Sequence, residues 1–121
     1  MSHREQHHRI DYIEFAATDI EQVKRFYTSV FGWSFQDYGP DYAAFSAASA
    51  GIDGGFYKAA VVPEPVRTAP LVVLYSADLA ATDSAIRAAG GSIVVPTFEF
   101  PGGRRFHFAD GAGNTLAVWS E

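Results

Sequence analysis

Two stretches of this chain are near copies of one another in pattern, and this restricts the fold more than any other feature. Tyr12-Ile-Glu-Phe-Ala-Ala-Thr-Asp19 is an apolar, strand-like run ending in Thr-Asp. Leu71-Val-Val-Leu-Tyr-Ser-Ala-Asp78 is the same kind of run, 59 residues on from Asp19 to Asp78. Helical spacing follows each aspartate, with Ile20, Val23, Tyr27 and Val30 in one copy and Leu79, Thr82, Ile86 and Ala89 in the other. Both helical patterns run into glycine, at Gly32 and at Gly90-Gly91. Further on, the segment from Gly51 to Tyr57 aligns with the segment from Gly113 to Trp119. A repeat of this length inside one small domain implies two copies of one supersecondary unit, about residues 9–60 and 70–120, with any site in the seam between them.

The 121 residues suffice for one domain with a real core. A net charge of −5 argues against nucleic acid as a partner, because that binding needs concentrated positive charge. The absence of cysteine excludes disulfides, thiolate nucleophiles and sulfur-ligated metals, and makes a cytoplasmic location the expectation. No apolar run reaches the ~18 residues of a membrane span, so no membrane partner is expected. Met1 to Arg9 is polar and lacks the apolar core of a signal peptide.

Alternation and turn residues fill in the remainder. Ile10–Ala16 reads as a strand with Ile13 and Phe15 on one face and Tyr12 and Glu14 on the other. Thr18 or Asp19 is placed to cap the helix, with Glu21 or Gln22 completing a capping box. Trp33–Tyr38, Tyr42–Ser46 and Ile52–Tyr57 read as an antiparallel meander, and the proline-rich residues 61–70 as the linker. In the second copy, Leu71–Ser76, Ser92–Phe100, Arg104–Phe108 and Thr115–Trp119 read as strands and Asp78–Ala89 as a helix. Pro96 predicts a bulge or an edge in its strand. The expected class is α+β: two βαβββ repeats forming curved mixed sheets around a cleft.

The segment from Asp19 to Trp33, an Asp-capped helix running through Phe26-Tyr27 into Phe31-Gly-Trp33, resembles a hallmark of the vicinal oxygen chelate superfamily of glyoxalases, bleomycin-resistance proteins and extradiol dioxygenases. The closing Phe108-Ala-Asp-Gly-Ala-Gly-Asn-Thr-Leu-Ala-Val-Trp119 resembles the terminal strand of that family, with Gly111 where proline is usual. The resemblance implies the glyoxalase-like fold over Arg9 to Ser120. Metal-dependent members carry four His, Glu or Gln ligands. Carried over residue by residue, those positions fall on Tyr12, on Gly55 or Gly54, on Val72 or Leu71, and on Ala117. This implies that the usual metal site is absent and that no cofactor is bound.

Strand alternation then selects the residues expected to line the cleft. Glu14 joins Tyr12, Asp53 and Tyr57 join Gly55, and Trp119 joins Ala117. Phe106 and Phe108 demand the helix-covered face, which turns Arg105 and His107 to the other. Gly54, Gly55 and Ala117 are expected to leave the cleft roomy. A carboxylate, a guanidinium and an imidazole among aromatic rings suit a small organic ligand. Tyr12, Asp53, Tyr57, Arg105 and Trp119 are the candidate ligand-binding residues, and Glu14 and His107 the candidate acid–base pair. A histidine group at His3, His7 and His8 lies on the terminal segment.

The sequence therefore points to a metal-independent small-molecule-binding protein, expected as a homodimer. One alternative is a lyase or isomerase resembling lactoylglutathione lyase, with Glu14 and His107 moving the proton. The other is a protein-interaction subunit using the sheet edges.

Overall fold

In the computed structural model, which describes residue 5, residues 7–60 and residues 71–121, each repeat folds into its own four-stranded sheet. The first half runs β1 (Tyr12–Ala17), α1 (Ile20–Phe31), β2 (Phe35–Asp37), β3 (Tyr42–Phe45), a one-turn α2 (Ala47–Ala50) and β4 (Asp53–Lys58). The second runs β5 (Val73–Tyr75), α3 (Leu79–Ala88), β6 (Ser92–Phe100), β7 (Gly103–Ala109) and β8 (Thr115–Ser120). Strand orders are β1-β4-β3-β2 and β5-β8-β7-β6, so the two sheets have one topology. In each, the first and last strands pair in parallel and the remainder pair antiparallel.

Helices α1 and α3 begin on the aspartates that the repeat singled out. Asp19 accepts from the Gln22 amide and Asp78 from the Ala81 amide, each at 3.1 Å, which satisfies an amide with no partner inside the helix. Gln22 does not close a capping box. Its side chain instead reaches the Asp110 carbonyl at 2.9 Å. Gly32 ends α1 in the left-handed region at φ 73°, where a side chain would be strained.

Two expectations change. The expected Leu71–Ser76 strand pairs only over Val73–Tyr75, with Leu71 and Val72 leading into it. The Ala-rich turn after β3 closes into α2, whose first amide is met by Asp53 at 2.7 Å. Pro96 does sit in an edge strand, and the β6–β7 register slips on both sides of Val95. The expected linker, residues 61–70, and His3 lie outside the described residues.

One core serves both halves. Phe15, Phe35, Phe45 and Phe56 of the first sheet surround Trp33 and Tyr27, while Phe106, Phe108, Leu116 and Val118 line the second sheet. Helix α1 touches both. Tyr27 lies 4.8 Å from Trp33 and 5.1 Å from Phe56, ring to ring, and Phe26 and Phe31 lie 6.0 and 5.8 Å from Phe108 of the second half. Gly91 is required by this approach, because a Cβ there would press on Phe26, Ile86 and the Ala109 carbonyl.

Beside that contact lies a fully buried carboxylate, Asp110. Its Oδ1 accepts from the amides of Ala112 (2.8 Å) and Asn114 (3.0 Å). Its Oδ2 accepts from Tyr27 Oη and Asn114 Nδ2, both at 3.0 Å. Asn114 also donates to the Ala16 carbonyl of β1 at 2.8 Å. Burial, followed by the Asp110 charge and hydrogen bond, pushes the Tyr27 phenol well above its ordinary range, so it stays protonated as the donor. Replacing Tyr27 by Phe removes one hydrogen bond to a charged group and should cost about 1.5–3 kcal/mol. Asp110→Ala strands the four donors that meet its carboxylate and should cost about 4 kcal/mol or more, at roughly 1–3 kcal/mol per unmet group. Urea unfolding measures both. A Tyr27→Phe loss near zero would mean that Asn114 and the turn amides hold the carboxylate without help from α1.

Candidate functional site

The residues on the open face of each sheet follow from register. With Ile13, Phe15 and Phe56 committed to the core, Tyr12 and Glu14 of β1 stand on the open face beside Asp53 and Gly55 of β4. With Phe106, Phe108, Leu116 and Val118 committed likewise, Arg105 and His107 of β7 stand on the open face of the second sheet. Arg105 is opposite Trp119 and His107 opposite Ala117. Val73 and Tyr75 of β5 continue the same row beside Ala117 and Trp119.

The second-half face is aromatic and cationic. The Trp119 ring lies 5.2 Å from Tyr75 and 6.2 Å from Phe100. The Arg105 guanidinium lies 5.2 and 5.4 Å from the ring centroids of Phe98 and Phe100, within cation–π range. A cavity of about 280 Å³ opens among Val73, Phe100, Gly102, Arg105 and Trp119. Arg105 Nε and His107 Nε2 are buried with no hydrogen-bond partner among the described residues. Burial, then the Arg105 charge, lowers the His107 pKa from its ordinary 6.5, so the ring is neutral near pH 7.

The first-half face is phenolic and acidic, and its decisive residue, Tyr42, was not among the sequence candidates. Its hydroxyl donates to Glu14 Oε2 at 2.8 Å and meets the Tyr12 hydroxyl. The ring occupies the space that Gly55 leaves open, where any Cβ would collide with it. Gly54 is closed in the same way by Phe45 and the Ile13 carbonyl. The two glycines therefore admit neighbouring rings and do not leave the cleft roomy. Burial, with the bonds to Tyr12 and Glu14, pushes the Tyr42 hydroxyl well above its ordinary range. Asp53 is engaged by the Ala47 amide of α2, and Tyr57 is exposed beside Ala16. The signal for Tyr42 was present in the turn Gly39-Pro40-Asp41 followed by a tyrosine, but its target is a diagonal neighbour two positions along β4.

The candidate residues fall into two groups. Tyr12 and Glu14 join Tyr42 on one half, while Arg105 and Trp119 border the small cavity on the other. His107 continues that second row, and neither Glu14 nor His107 lines that cavity or a second one. The second, of about 500 Å³, lies on the core side between β1 and β5, among Ile13, Phe15, Phe31, Trp33 and Leu74. The histidines His7 and His8 stack on each other with ring centroids 3.8 Å apart.

A family model described as the Glyoxalase/Bleomycin resistance protein/Dioxygenase superfamily matches residues 9–118. The chain belongs to this superfamily. CFP32 of Mycobacterium bovis, which carries a glyoxylase name, is 28% identical over 116 residues. That match takes in 90% of this chain but 44% of CFP32, so the chain spans less than half the length of that relative. A glyoxalase-related enzyme from Fulvimarina pelagi superposes with a TM-score of 0.73 at 19% identity, covering 94% of this chain and 88% of that one. The fosfomycin resistance protein FosX from Listeria monocytogenes gives 0.75 at 16% identity, covering 93% and 92%. These structural likenesses establish the glyoxalase-like fold.

Superfamily membership raises the question of a divalent metal, and the residues present do not fit one. Gly55 and Ala117 offer no donor, and the Tyr42 phenol stands in front of Gly55. Val73 shares the register of Ala117, whereas Val72 packs toward the core, which removes Val72 as the third position. Among the described residues no three His, Asp or Glu side chains gather where an ion could be held.

His107 also predicts a pH dependence of stability. Its folded-state pKa is lowered, so the native state resists protonation more than the unfolded chain does. Its contribution is complete above the ordinary 6.5 and is lost as pH falls through the lowered value. Urea midpoints from pH 7.5 to 5 should fall less in His107→Gln than in the unaltered protein. Identical pH profiles would mean that the imidazole is solvated in both states.

Proposed function

We propose that this protein binds a small organic anion without a resident metal, using the second-half face of the cleft. The observation that carries this reading is the pair of unpartnered buried groups, Arg105 Nε and His107 Nε2, beside an aromatic-walled cavity. Buried polar groups are nearly always hydrogen-bonded, so two on one face mark a place for a partner. A guanidinium favours a carboxylate or similar anion because two N–H groups can meet two oxygens. Neutral imidazole can offer either a donor or an acceptor at Nε2. Trp119, Phe100 and Val73 give the apolar body of the ligand a surface to cover. The acid–base alternative draws less support, because Glu14 is engaged by Tyr42 and stands on the other half.

A homodimer fits the same surface. Val73, Tyr75, Val94 and Val95 are large apolar side chains left exposed on the second sheet, and a second copy would cover them.

The ligand reading is tested by titrating Trp fluorescence with benzoate, against benzamide as the neutral control. Benzoate should bind in preference, and Arg105→Ala should weaken it by about 1.5–3 kcal/mol, the range for a charged hydrogen bond. Arg105→Lys should not restore the loss, since an ammonium cannot form the planar fork. Equal binding of benzoate and benzamide would overturn the anion assignment. Metal independence is tested by elemental analysis after tag removal, where well under one divalent ion per chain is expected. One tightly held ion per chain that survives mild chelation would overturn it.

A further inference from the structure

The open face of the first half carries a hydrogen-bonded chain whose protons all run one way. Tyr42 donates to Glu14 Oε2. A phenol has a single proton, so the bond between the two phenol oxygens is donated by Tyr12. The order is Tyr12 to Tyr42 to Glu14, and both protons are committed inward. What the chain presents outward is acceptors only: Glu14 Oε1 and the remaining lone pairs on the Tyr12 oxygen. Glu14 has no Lys, Arg or His partner among the described residues. The arrangement is held from behind, since the Tyr42 ring rests on Gly55, where no side chain could take its place. Tyr12 and Tyr57 are 45% and 41% exposed on the same face, so their rings are available to a guest.

We propose that Tyr12, Glu14 and Tyr42 form a receptor for a primary ammonium group carried on a small apolar body. Three N–H donors meet an acceptor-only rim, and the positive charge meets a carboxylate with no cationic partner among the described residues. The phenol faces of Tyr12 and Tyr57 add cation–π attraction. An anion is repelled here. A neutral alcohol offers a donor without charge, and a quaternary ammonium offers charge without N–H. The receptor lies on the half opposite Arg105 and does not rest on the anion-binding reading, so each can fail alone.

The experiment uses the whole chain with any tag removed and three probes: benzylammonium, benzyltrimethylammonium and benzyl alcohol. Amide NMR titrations report the site through shifts on β1, β3 and β4. Benzylammonium should bind at least about tenfold more tightly than either of the others. Glu14→Gln should weaken it by at least about tenfold, through loss of charge. Tyr42→Phe breaks the proton chain and frees Tyr12 to donate outward, and should weaken it by about threefold or more. Thermal unfolding of both variants checks that the fold is intact, and should Tyr42→Phe be unstable, Glu14→Gln decides. Three results overturn the proposal: no saturable shifts at about 10 mM benzylammonium, equal binding of benzyltrimethylammonium, or full affinity in Glu14→Gln.

Discussion

A single buried carboxylate joins the two repeats. Asp110 follows β7 and folds its own turn through the amides of Ala112 and Asn114, which is local work. Its second oxygen takes both the Tyr27 phenol from the first-half helix and the Asn114 side-chain amide, whose other proton goes to β1. Gln22 adds a bond to the Asp110 carbonyl. Helix α1 is thereby fixed in direction as well as position, and Phe26 and Phe31 are delivered onto Phe108. Apolar packing alone would tolerate rotation of one half against the other. A network in which each donor has one acceptor does not, because any shift leaves a buried group unmet.

The repeat is strict in backbone and loose in chemistry. The sheets share one strand order, and α1 and α3 each start on an aspartate. Yet the first open face is built from phenols and a carboxylate, and the second from a guanidinium, an imidazole and aromatic rings. The core positions could not diverge in this way, because both sets serve one hydrophobic cluster. The open faces carry no such restriction, so the superfamily frame is kept while the cleft chemistry differs from half to half.

Much of this was legible in the sequence because alternation is a rigid code. Ile13 and Phe15 require the helix-covered side, and Phe106 and Phe108 do the same in the second half, so Glu14, Arg105 and His107 had one face left to them. What was not legible depended on reach and register. Tyr42 spans diagonally to Gly55 and Glu14, a contact that neither strand pattern announces. The missing side chains of Gly54 and Gly55 suggested space, and only packing shows that rings from β3 occupy it. The third carried-over position, read as Val72 or Leu71, is not the one beside Ala117, because the parallel pairing of β5 with β8 sets Val73 there. Asp110 read as a turn residue, and nothing local to it reveals that its second oxygen serves a helix more than eighty positions earlier in the chain.

That separation along the chain has a consequence for how the protein is made. The first half emerges from the ribosome well before the segment that carries Asp110 and Phe108. Until then Tyr27 has no acceptor and the aromatic face of α1 has no lid, so the nascent first half is a sticky intermediate, not a finished domain. Closing a loop of that size is also slow relative to local helix and hairpin formation. The Asp110 turn and the strand after it therefore act as the commitment step for the pairing of the two repeats. Substitutions in the Asp110–Asn114 turn will register first as lost soluble yield, ahead of any effect on the cleft.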